Sequence, residues 1–309
     1  RVLTLLLTLL GTSLVVFGVL EVLPGNAAQT LMGPDAAPEA VEALTRKWGL
    51  DRPAGTRYLE WMAGLLRGDL GLSYAYSTPV SELVAERLEV TVPLAIIAML
   101  LTSAIAIAAG IYAASHHNRA GDVGIMGLSQ LGIAVPNFWF AILLILLFSV
   151  HLKWFSAGGF PGWDESVAES LQALALPAIS LAVVQSAILA RITRSAVLDV
   201  LREDFVRTAR AKGLSRRAAL WKHVLRNAMI PVITVMGLQF AELLAGTIVV
   251  ENVFYLPGLG RLIFQSIANR DVIVVRNCVM LLAAIVVIVN FIVDILYAVL
   301  DPRIRLGEA

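Results

Sequence analysis

The chain has 309 residues, of which 58% are hydrophobic and 15% charged, with a mean hydropathy of +0.80 and a formal net charge of +1. Soluble domains average about half apolar and about a quarter charged, so the apolar excess must face lipid, which excludes an ordinary soluble globule. The single cysteine, Cys278, lies in an apolar run; an internal disulfide is impossible, and a thiol metal site is not expected.

A membrane span needs roughly 20 mostly apolar residues, and the sequence predicts six. The first covers 2–23 and ends at Pro24-Gly25; it has no small-residue cleavage site and reads as a span rather than a removable signal. A long segment, 24–91, follows. Residues 39–48 and 58–66 have helical periodicity, a third short helix is expected at 79–88, and Pro34, Pro38, Pro53 and Gly55 punctuate them. Further spans are expected at 92–114, 123–152 (with Pro136 inside), 174–192 (starting near Pro177), 229–250 and 272–300, the last followed by a short tail, 301–309. The fold class is therefore an all-α integral membrane protein, with a helical segment (24–91) before a five-helix core (92–300).

Basic residues near span ends set orientation. Arg194, Arg202, Arg207, Arg210, Lys212, Arg216, Arg217, Lys222 and Arg226 crowd between the fourth and fifth spans, against Asp199, Glu203 and Asp204. The loop after span two carries Arg119 and the tail Arg303 and Arg305. With six spans these segments share one side, so both termini are expected in the cytoplasm and 24–91 outside. The outer segment is too large for a connecting loop; it reads as a solvated cap or as a docking surface.

Within the basic segment, 198–228, a helix is expected at 198–212. Gly213 suits a left-handed helix end and Ser215 the N-cap of a second helix, 216–227. Arg207, Thr208, Ala209, Gly213, Leu214 and Ser215 would form a compact knob with charge, small residues and an apolar anchor. Docking to a protein partner and holding of anionic lipid heads both fit this composition.

Polar residues inside spans are costly and suggest function. Glu242 lies about 20 Å along span five from its cytoplasmic end; it either lines a pathway or is a buried acid bonded between helices. Gln239, one turn earlier, is expected on the same face. Asn290 and Asp294, at i and i+4 in span six, read as helix-to-helix hydrogen bonding. Gly237, Gly246, Gly127 and Gly132 permit close helix packing. The stretch with Glu251, Pro257 and Gly258 reads as a gate or a turn beside the pore.

Arg207-Thr208-Ala209 followed by Gly213 resembles the cytoplasmic coupling segment of ABC-type import permeases, specifically the dipeptide, oligopeptide and nickel permease family. Leu23-Pro24-Gly25-Asn26, Leu50-Asp51-Arg52-Pro53, Gly68-Asp69-Leu70-Gly71-Leu72-Ser73, Pro136-Asn137-Phe138-Trp139, the run from Glu251 to Gly260, and Asn290, Asp294, Tyr297 and Asp301-Pro302-Arg303 match the same family in order. The family's general motif has Glu-Ala-Ala where Arg207-Thr208-Ala209 stand, a departure shared by its peptide branch. The resemblance implies a type I ABC importer permease fold and a bacterial or archaeal cytoplasmic membrane. It implies half of a translocation pathway, paired with a homologous permease chain, two ATP-binding subunits and an external solute-binding protein. Peptides are the cargo it implies first; nickel or a metal chelate is the alternative, and a stand-alone secondary transporter the rival class.

The sequence has no phosphate-binding loop, dinucleotide fingerprint, nucleophile elbow or zinc-protease motif. No catalytic residue, cofactor, metal site or nucleic-acid partner is expected, and any ATP hydrolysis belongs to partner subunits.

Overall fold

The computed structural model describes residues 2–22, 27–33 and 35–300, the side chains of 296–300 excepted. The Leu23-Pro24-Gly25-Asn26 match, Pro34, the Tyr297 side chain and the tail with Arg303 and Arg305 lie outside the described residues. Among those described, regular structure is helical apart from one bridge between Leu72 and Pro79. Five helices are long and apolar enough to cross a membrane, or six if a bent pair counts as one span.

Helix α1 (Val2–Val22) packs along the last helix of the chain and leaves most of its apolar surface exposed, as lipid contact requires. Three short helices follow: α2 (Ala27–Met32), α3 (Pro38–Lys47) and α4 (Ala54–Arg67). The short helix expected at 79–88 is no separate element. It is the start of α5 (Val80–Ser115), about 54 Å long at 1.5 Å per residue, so residues 91 and 92 lie in one continuous helix. Pro93 inside α5 leaves the carbonyl of Glu89 without its helical donor, and the Trp163 indole N–H supplies one at 2.8 Å.

The third predicted span is not one rod. Val135 is extended, as a residue before proline prefers. Helices α6 (Ala120–Ala134) and α7 (Asn137–His151) therefore meet at 100°. The 15 residues of α6 reach about 22 Å, short of a hydrocarbon core of about 30 Å. Helix α8 (Val167–Leu201) starts before the expected 174, because Ser166 accepts the Glu169 N–H at 3.3 Å in a Ser-x-x-Glu cap. It is the most buried of the long helices and packs most extensively on α5.

The helix expected at 198–212 is broken at Arg202–Glu203; a separate α9 (Asp204–Ala211) follows. The second expected helix does not end at 227: through a π-helical turn at 220–224 it continues into the fifth span, forming α10 (Arg216–Val253). A short helix absent from the expectation, α11 (Leu259–Ala268), precedes α12 (Val272–Leu300). Gly237 lets α10 approach α12 so closely that a Cβ there would meet Val293 at 2.1 Å. Gly132 lies against Ala187, whereas Gly127 has nothing within 4 Å of a built Cβ.

Candidate functional site

At the basic end of the bundle, α9 is held by one anchor. Val206 is 2% exposed and sits in an apolar cluster with Ala114, Val197, Val224, Leu225 and Ala228, from α5, α8 and α10. The rest of α9 projects. Arg207 and Thr208 are exposed and Ala209 half-buried. Arg207 pairs with Asp204 at 3.3 Å, with both side chains largely in solvent; such a pair contributes little, so Arg207 remains available to a partner. Gly213 has φ +94°, and a side chain there would meet nothing within 4 Å of its own chain. Leu214 is half-buried, and Ser215 accepts the Ala218 N–H at 3.2 Å as the expected N-cap. The six predicted coupling residues thus lie on one projecting corner.

That corner is tied to the loop after α5. Arg216 donates to the Ser115 carbonyl at 3.3 Å. Arg194 of α8 makes two bonds to Asp122 of α6, at 2.5 and 2.7 Å, and approaches His117 at 3.0 Å; Asp122 also accepts the Asn118 N–H at 2.9 Å. Asp122 is 2% exposed. The sequence reading passed over Asp122. Its signal was an acid at the start of an apolar run, on the side where Arg194 closes another.

In the middle of α10, Gln239 and Glu242 are not alike. Gln239 is buried, donating to the Gln185 carbonyl of α8 at 3.1 Å, while its Oε1 has no partner among the described residues. Glu242 is exposed, on a stripe with Pro231, Leu238, Ala245 and Val249 that recurs at helical spacing. The expectation of one shared face is therefore wrong: a step of three residues carries the chain from packing surface to outer surface. Asn290 Oδ1, expected in a helix-to-helix bond, is buried without a partner among the described residues.

At the far end, Glu251 is fully buried. Thr91 of α5 donates to its Oε1 at 2.6 Å, and Oε2 accepts the Gly260 N–H at 2.7 Å, at the start of α11. The Thr91 oxygen also accepts the Leu259 N–H at 2.8 Å. The carboxylate and hydroxyl thus satisfy donors that a helix N-terminus otherwise leaves open. Gly258 and Gly260 are required by space: a Cβ on Gly258 would meet the Glu251 carboxyl at 2.3 Å, and one on Gly260 would meet the Ile248 backbone at 2.2 Å. Pro257 lies in the connecting turn, whose Phe254 and Leu256 are core residues. The segment before α5 is latched beside it. Asp271, buried at the start of α12, accepts from Ser73 Oγ at 2.5 Å and the Ala75 N–H at 3.0 Å. Asn277 accepts the Trp61 indole N–H at 2.9 Å and donates to the Leu70 carbonyl at 2.7 Å.

The family model described as the binding-protein-dependent transport system inner membrane component matches residues 106–306, and that of the N-terminal part of such membrane components matches 1–95. The chain is 40% identical to an oligopeptide transport system permease of Bacillus subtilis, over 96% of this chain and 95% of that protein. It is 41% identical to a glutathione transport system permease of Escherichia coli, over 99% and 97%. Among solved structures it resembles the crystal structure of an amino acid ABC transporter with histidines, with a TM-score of 0.50, 17% identity and coverage of 72% of this chain and 94% of that one.

Proposed function

We propose a function from one premise: this chain belongs to the family of inner-membrane components of binding-protein-dependent transport systems, the permeases of ABC importers. It is a multi-pass membrane subunit that forms half of a translocation pathway. Peptides are its cargo, the class named for its oligopeptide relative and the chemical class of glutathione. A homologous but different permease chain completes the pathway, two ATP-binding subunits dock at the α9 corner, and a solute-binding protein delivers cargo to the 24–91 segment on the outside. Both termini are cytoplasmic.

The observation that carries this reading is the α9 corner. One buried valine roots it in three helices while Arg207, Thr208 and the Gly213 turn project. A rooted projection transmits a push into α5, α8 and α10 together. Glu242, on the unpartnered stripe of α10, would face the pathway and meet a peptide amino group, since an acid facing hydrocarbon is costly. Glu251, Pro257 and Gly258 would form its outer rim.

The test is a disulfide cross-link. In a Cys278→Ser background, Arg210→Cys should link to single cysteines on the cognate ATP-binding subunit, and uptake of labelled dipeptide should need both subunits. A cross-linkable complex that never forms, with uptake by this chain alone, would overturn the proposal.

A further inference from the structure

We propose that the outer end of the chain holds the phosphate group of an anionic phospholipid, with Arg276 as its cation and the groove beside Leu20 as the seat of its acyl chain. Arg276 lies about one turn into α12. A guanidinium taken out of water is costly unless something answers its charge. Among the described residues Arg276 forms no ion pair, and its buried Nε has no hydrogen-bond partner. Its Cζ lies 4.6 Å from the Trp61 ring centre and 5.6 Å from that of Phe17. These contacts hold the group in place without neutralising it.

Arg276 lines a cavity of about 190 Å³ between α1, α12 and the outer segment. Two other guanidiniums line it, but Arg57 is paired with Glu21 and Arg52 with Glu60. Of the three, Arg276 is thus the guanidinium without a salt bridge among the described residues; the Glu21 carboxyl, already paired with Arg57, and the Tyr74 phenol act on it only from beyond salt-bridge distance. An apolar groove of about 420 Å³ adjoins the cavity through the shared residues Leu20 and Val272, and Ile267 and Val275 line it. In that groove Ser266 Oγ is buried without a partner among the described residues. One cation without a salt bridge, one hydroxyl without a described acceptor and an apolar channel in continuity match a phosphate, a glycerol ester and an acyl chain. A small soluble anion would use only the first.

The experiment uses the assembled transporter, released from nanodiscs into native mass spectrometry. Wild type should retain phosphatidylglycerol but not diacylglycerol, which lacks the phosphate, and millimolar inorganic phosphate should not raise its melting temperature. Arg276→Gln should lower retention at least tenfold. Leu20→Trp, which fills the groove and leaves the guanidinium intact, should do the same, so the outcome does not hang on one variant folding. Equal retention of diacylglycerol, unchanged retention in both variants, or stabilisation by inorganic phosphate as strong as by the lipid would each overturn the proposal.

Discussion

Thr91 and Glu251, 160 residues apart, meet through a 2.6 Å hydrogen bond, and the same threonine oxygen takes the first N–H of α11. Removing either side chain leaves buried donors unanswered, at about 1–3 kcal/mol each. Thr91→Val and Glu251→Leu should therefore both lower the melting temperature of the detergent-solubilised chain, and the second more, because Gly260 N–H and the Thr91 hydroxyl both lose their acceptor. Glu251→Gln should cost least. Melting curves that coincide with wild type would show that these bonds do not hold the end together.

The Gly213 turn separates local strain from docking. A side chain at φ +94° is disfavoured by roughly 1–3 kcal/mol, yet its Cβ would meet nothing among the described residues. Gly213→Val should insert and melt almost as wild type while peptide uptake and cargo-stimulated ATPase activity collapse. Arg207→Glu should weaken recovery of the ATP-binding subunits in pull-downs without changing insertion. Wild-type uptake and assembly in both variants would place the coupling contact elsewhere.

Asp122 is sealed inside by Arg194. Losing one partner of a buried ion pair costs about 3–5 kcal/mol, discounted here because the Arg194 side chain is 22% exposed. Arg194→Met should thus destabilise strongly. The double variant Asp122→Leu with Arg194→Met should recover much of the loss, since no charge is then left unpaired. Thermal melts of Asp122→Leu, Arg194→Met and the double variant test the coupling; strictly additive losses would deny it.

Glu242 makes no hydrogen bond or ion pair among the described residues, so Glu242→Ala should leave expression, melting temperature and subunit pull-down unchanged. Peptide uptake should fall several-fold. A drop in stability instead would identify Glu242 as a packing residue.

For topology, Asp35→Cys and Glu60→Cys in a Cys278→Ser background should react with an impermeant maleimide in intact spheroplasts. Labelling confined to lysed cells would invert the orientation.

The spans were legible because lipid-facing surface needs long apolar runs, and the Gly213–Ser215 turn because a left-handed glycine and an N-cap serine act locally. What remained hidden depends on partners distant in sequence. Pro93 and Pro136 both sit in apolar runs. Pro93 is carried inside one continuous helix whose freed carbonyl meets Trp163, while Pro136 marks a 100° bend. Nothing near either proline announces the difference. The Ser166–Glu169 cap, by contrast, was in plain view and marks the true start of α8. Gln239 and Glu242 show the same limit in the site: their spacing of one turn suggests a shared face, and only packing against Gln185 decides that one is covered and the other not.

The Glu251 cluster also has a mechanical meaning. Its bonds reach Thr91 on α5 and Gly260 on α11 from a carboxylate on α10, bracing three members at one joint as a strut braces a frame. A braced frame does not shear; it turns as a solid. Compliance in this chain must then reside at its unbraced points, the Arg202–Glu203 break and the Val135–Pro136 elbow. A stroke delivered at α9 would be absorbed there or passed on whole, so the Glu251 end would tilt rather than bend.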